Sequence, residues 1–110
     1  MKRLVFAEGL LALVIESGKP LTIRRYRHEA HDFTKDEVFI GEFKDGFDVL
    51  LVATENTEVK TFVDLTHAEA EEDGFDGIDD AISGLREYYL DLELTDKMVI
   101  IRFKIYSVCS

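Results

Sequence analysis

Residues 98–108 constrain the fold more than any other stretch. Val99, Ile101, Phe103 and Ile105 recur at every second position, with Arg102 and Lys104 between them. A two-residue period sends alternate side chains to opposite faces, which is the pattern of a β-strand. A strand needs partners, and the chain supplies candidates. Residues 21–27 alternate, with Leu21 and Ile23 on one face and Thr22, Arg24 and Tyr26 on the other. Residues 37–43 and 47–54 are joined by Asp45-Gly46, a hairpin turn sequence. Residues 4–6 and 59–65 are further expected strands, and residues 28–36 form a polar loop.

Helical signals fall between the strands. In residues 8–16, Leu10, Leu13 and Val14 share a face at helical spacing, Ser17-Gly18 ends the run, and Pro20 blocks its continuation. Thr66 followed by Glu69 is a capping box, opening a short helix to about Glu72 that Asp73-Gly74 ends and Phe75 anchors. A second helix is expected from Asp76 or Asp79 through Tyr89, with Ile78, Ile82, Leu85 and Tyr89 on its apolar face. The class is α+β: five or six mostly antiparallel strands and two or three helices, in a curled sheet or partly open barrel. A length of 110 residues leaves room for one core, so residues 1–110 form a single domain.

Composition removes several alternatives. Hydrophobic residues at 46% and charged residues at 33% do not describe a disordered chain. The apolar run of residues 10–15 is too short to span a bilayer, and Glu8 and Glu16 break any signal-peptide pattern. No membrane partner and a cytoplasmic location are therefore expected, and the single Cys109 near the C-terminus fits a reducing compartment. The net charge of −10 opposes general nucleic-acid binding. Its distribution is uneven, however. Residues 1–27 hold six basic and two acidic side chains, which allows one basic site for a small anion on an acidic body.

The segment Ser17-Gly18-Lys19-Pro20-Leu21-Thr22-Ile23-Arg24 resembles the Gly-Lys turn and Thr-Ile-Arg strand of ASCH domains. Asp36-Glu37-Val38-Phe39, Phe62-Val63-Asp64-Leu65-Thr66, Ala70-Glu71-Glu72-Asp73-Gly74-Phe75 and Val99-Ile100-Ile101-Arg102-Phe103 are similar to that family's later motifs, in the same order. The resemblance implies a PUA-like partly open β-barrel, with a cleft between barrel and helices that binds RNA or a nucleotide. Some small family members are amidohydrolases acting on acetylated cytidine nucleosides. For these the resemblance implies Lys19 as base, Thr22 as nucleophile and Asp73 as acid. Pro20 stands where those members have Thr, and Asp73 where they have Glu, so Glu72 or Glu71 is an alternative carboxylate. Because catalytic geometry tolerates little displacement, binding is the first implication and hydrolysis the second.

The residue chemistry is compatible with both. Thr22, Arg24 and Tyr26 share a strand face, and Lys19 lies in the preceding turn. A threonine hydroxyl needs a base, and a lysine near Arg24 and Arg25 is a candidate for one. Arg24 suits a phosphate bidentately, and Tyr26 offers a stacking surface. The ligand-binding set is thus Lys19, Thr22, Arg24, Tyr26 and Glu72. The alternative is that Lys19, Arg24 and Arg27 are solvated charges paired with acidic helices and Thr22 is an ordinary strand residue. His28, His31 and His67 lack a zinc-ligand spacing, and residues 73–80 lack a calcium-loop pattern, since the twelfth position is Gly84. No metal or cofactor is expected, and a monomer is. The acidic stretch of residues 64–96 is a solvated helical surface or, as a third functional reading, a docking face for a basic protein.

Overall fold

The computed structural model describes residues 1–6, 21–28, 30–44 and 46–108. The expected helix of residues 8–16, the Gly18-Lys19-Pro20 turn and Cys109 lie outside them. The described elements are β1 (Arg3–Phe6), β2 (Leu21–Arg25), β3 (Val38–Phe43), β4 (Phe47–Ala53), β5 (Glu58–Thr61), a 3-10 turn (Phe62–Asp64), α1 (His67–Glu72), α2 (Ile78–Tyr88) and β6 (Lys97–Val108).

The long final strand organises the sheet. β6 pairs antiparallel with β2 along one edge, and with β5 and then β4 along the other. β3 continues the sheet antiparallel to β4, and β1 closes the path parallel to β3. The strand order is β1-β3-β4-β6-β2, with β5 beside β6. This six-stranded mixed sheet curls into a half-barrel with two helices against its outer side, a barrel-like α+β fold.

The alternation read in residues 98–108 now has two destinations. Val99, Ile101 and Phe103 point into the half-barrel, where they pack with Leu4, Phe6, Phe33, Phe39, Phe43, Val49 and Leu51. Met98 and Ile100 point outward, beneath the helices, with Leu21, Ile23, Phe62, Leu65, Leu85 and Leu92. Both faces of this stretch are therefore buried. Stacking of Phe6 on Phe43, 4.6 Å between ring centres, fixes β1 against β3. Such a pair contributes about 0.5–1.5 kcal/mol beyond the area it buries.

The helix ends follow the local signals. Thr66 accepts from the Glu69 N–H at 3.2 Å, and the Glu69 carboxylate accepts from the Thr66 N–H at 2.8 Å, completing the capping box. Gly74 takes a left-handed φ of 102°. Its N–H reaches the Glu71 carbonyl and that of Phe75 reaches the Ala70 carbonyl, a Schellman ending. Helix α2 begins at Ile78, between the two expected starts. His67 Nδ1 accepts from the Ile78 N–H at 3.2 Å. The His67 ring lies so close to Gly77 that a Cβ there would sit 2.4 Å from it.

One expected strand is shorter than its sequence pattern. Residues 59–65 do not run through as a strand, because the chain turns at Phe62. Thr61 Oγ1 donates to Asp64 at 2.7 Å, closing the turn, while Phe62 is buried among the helices and Val63 is turned to solvent. No helix among the described residues is long and apolar enough to cross a membrane.

Candidate functional site

Among the described residues the half-barrel does not close. β1 and β2 are the two ends of the strand path, and no ladder joins them among the described residues. The curl nevertheless brings them together. Directly opposed residues of an antiparallel pair share a face, so Thr22 opposite Ile101 and Arg24 opposite Val99 point into the half-barrel. The Arg24 guanidinium sits 4.7 Å from the centre of the Phe6 ring, bridging the seam from β2 to β1.

A cleft of about 330 Å³ lies at this seam. Its lining comes from three places: Arg3, Leu4 and Val5 of β1; Arg24 and Arg25 of β2 with Arg27, Ala30 and His31 of the following loop; and Tyr88 and Tyr89 at the end of α2. Four arginines, one histidine and two tyrosines thus line one concavity, on a chain whose net charge is −10.

The four arginines are not equivalent. Arg3 contacts Glu42 at 2.5 Å and Asp48 at 3.6 Å, and these carboxylates hold its pKa above the ordinary value. Arg25 contacts Asp91 at 2.8 Å and Asp96 at 3.2 Å. Arg24 and Arg27 have no carboxylate within ion-pair distance among the described residues. Burial pushes the Arg24 pKa down, with the phenols of Tyr89 and Tyr88 and then the Asp73 carboxylate acting the other way. Its Nε donates to Thr22 Oγ1 at a long 3.5 Å. It remains a cation, as arginine does in proteins.

His31 is 7% exposed, in a loop that reads as polar. Its Nδ1 accepts from the Arg27 N–H at 3.0 Å, which assigns the ring proton to Nε2. Burial, with the Arg24 and Arg27 charges, pushes its pKa down to about 4. The imidazole is therefore neutral near pH 7.

The residues expected from sequence divide. Thr22 and Arg24 meet at the seam, with Thr22 only 6% exposed, and the Asp73 charge reaches Arg24. Lys19 lies outside the described residues. Tyr26 packs its ring against the inner core and donates its hydroxyl to Asp32 at 2.8 Å. Glu72 is held elsewhere, at 2.6 Å from Arg102, on the helix side of β6. The three histidines go separate ways: His28 contacts Asp32, His31 lies in the cleft and His67 supports α2. Arg3, Arg25, Arg27, His31, Tyr88 and Tyr89 line the cleft but are not in the set expected from sequence. The only sequence signal for them is the basic bias of residues 1–27, which covers the three arginines and not His31, Tyr88 or Tyr89.

The fold and cleft together define an α+β half-barrel with a cationic seam. No protein-family model and no curated protein matches the sequence. Among solved structures the chain is similar to the crystal structure of protein EF3133 from Enterococcus faecalis V583, described with the family model DUF984. The TM-score is 0.67 at 15% identity, over 92% of this chain and 72% of that one. At that identity the likeness shows the fold alone.

Proposed function

We propose that this domain binds a nucleotide, free or as a unit of RNA, in the seam cleft. The observation that carries the reading is the convergence of Arg3, Arg24, Arg25, Arg27 and neutral His31 with two tyrosines on about 330 Å³. Guanidiniums bind phosphate oxygens bidentately, and an imidazole N–H adds a donor. Tyr88, largely exposed, and Tyr89, half-buried, offer ring surface to a base. The volume is at the small end for ligand sites and suits one nucleotide unit rather than a longer strand.

A deacylating activity has one observation in its favour: Thr22 and Asp73 both bear on Arg24. The same experiment tests it. Amide shifts are followed while a nucleoside 5′-monophosphate, the nucleoside and N-acetylated cytidine are added, and released acetate is assayed. Binding predicts shifts at residues 3–5, 24–31 and 88–89, strongest with the monophosphate. Arg24→Gln should weaken that binding roughly 10- to 100-fold, the loss of a charge-assisted contact. Acetate release abolished by Thr22→Ala would move the reading to hydrolysis. Unchanged shifts with every nucleotide would remove the binding reading.

A further inference from the structure

We infer that the cleft selects a terminal phosphate, a phosphomonoester dianion, over the monoanionic diester that links nucleotides in a chain. This rests on the nucleotide reading above and names the ligand class within it. Two of the four guanidiniums are already compensated: Arg3 by Glu42 and Asp48, Arg25 by Asp91 and Asp96. The other two, Arg24 and Arg27, have no carboxylate within ion-pair distance among the described residues, although the Asp73 charge also acts on Arg24. His31 contributes a donor without a charge. Counting the described residues, Arg24 and Arg27 give the cleft two positive charges without a carboxylate at ion-pair distance, and a phosphomonoester supplies about 1.5 to 2 negative ones at pH 7. A diester supplies one. The same guanidiniums therefore attract it less strongly, most of all at Arg24, the half-buried one of the two.

Affinity for the monoester should follow the ionisation of the phosphate itself. Among the described residues, the charges acting on His31 are Arg24 from β2 and Arg27 and Asp32 from its own loop, and Arg3 of β1 and Tyr88 and Tyr89 at the end of α2 line the same cleft. With its pKa at about 4, His31 stays neutral from about pH 5 upward. The second ionisation of the phosphate, near pH 6, is then the titration that binding reads. His28 contacts Asp32 at 3.2 Å but does not line the cleft, so His28→Asn serves as a control for the loop's other imidazole.

The test is calorimetry on the full chain with a nucleoside 5′-monophosphate and its methyl ester, which share base and sugar and differ by one ionisable oxygen. The monophosphate should bind at least roughly tenfold more tightly near pH 7.5, consistent with one extra ion contact at a partly buried site. That advantage should shrink toward pH 5, in the native protein and in His28→Asn alike. Arg27→Gln, at an exposed side chain, should bring the two affinities together. Equal binding of both ligands at every pH would overturn the selection while leaving nucleotide binding in place. Binding of neither would remove the underlying reading as well.

Discussion

The two faces of β2 and β6 treat buried charge in opposite ways. On the helix face, Glu69 is 6% exposed and fully engaged. Its carboxylate receives Lys60 Nζ at 3.0 and 3.1 Å and the Thr66 N–H at 2.8 Å. Burial pushes the Glu69 pKa up, but the Thr66 N–H, the Lys60 ammonium and the Thr66 hydroxyl outweigh it and hold the carboxyl below its ordinary value. On the seam face, Arg24 is half-buried against a phenyl ring and a hydroxyl, and burial, helped by two nearby cations, keeps His31 neutral. One face completes its electrostatics within the fold. On the other, Arg24 and Arg27 have no carboxylate within ion-pair distance among the described residues, which is where the proposed anion would sit. Charge that is fully paired serves stability, whereas charge left open marks the place where a ligand is expected.

Glu69 offers the largest break in this comparison. Glu69→Ala removes the reciprocal cap and leaves Lys60, itself mostly buried, without its nearest carboxylate. The expected cost is about 2–4 kcal/mol, read by urea denaturation. Glu69→Gln keeps an acceptor for the Thr66 N–H and loses the ion pair, so it should cost less. Because the folded-state pKa is depressed, this contribution is present above the ordinary carboxylate range and is lost as pH falls through it. Equal losses for the two variants would show that the cap adds nothing beyond the ion pair.

His31 sharpens the comparison from the seam side, with a smaller effect in a different pH window. Its pKa is about 4 folded and 6.5 in the unfolded chain, so between those values the unfolded state binds the extra proton. Stability should therefore fall as pH drops from 6.5 to about 4 and level off below that, as far as this group is concerned. Discounted for solvent access through the cleft, the change is about 1–3 kcal/mol. His31→Asn retains an acceptor for the Arg27 N–H and should flatten the curve over that interval. A curve unchanged by the substitution would mean that His31 is accessible enough to protonate normally.

The helix face was legible in the sequence because its signals are local. The Thr66–Glu69 box, the Gly74 ending and the Ile78, Ile82, Leu85 and Tyr89 spacing each lie within a few turns of chain. The strand faces were legible for the same reason, since alternation needs only a few consecutive residues. Residues 59–65 misled because Val59, Thr61, Phe62 and Val63 all suit a strand. The turn there comes from the Thr61–Asp64 bond and from Arg86 over the Phe62 ring, a contact 24 residues away in sequence. The seam is less legible still. Parallel pairing of β1 with β3 and the meeting of Arg3, Arg24 and Tyr88 depend on how the sheet curls, and no periodicity records that. The segment 17–24 did point to Thr22 and Arg24. The buried face of His31 was hidden by its polar neighbours.

Arg24 gives the smallest expected change in stability and the most discriminating one. Arg24→Met keeps a long flexible side chain over Phe6 and removes the charge. Replacing an incompletely compensated buried ion with an apolar group of similar reach is often neutral or stabilising. The free protein should therefore change by less than about 1 kcal/mol, against the larger loss for Glu69→Ala. Added nucleoside monophosphate should separate the forms. At a concentration 100 times its dissociation constant, a ligand bound only to the folded state stabilises it by about 2.7 kcal/mol. The native protein should show that gain in melting experiments, and Arg24→Met should lose most of it. Were Arg24→Met to destabilise the free protein as strongly as Glu69→Ala, Arg24 would be a structural ion like Lys60. The contrast between the two faces would then fail at its central residue.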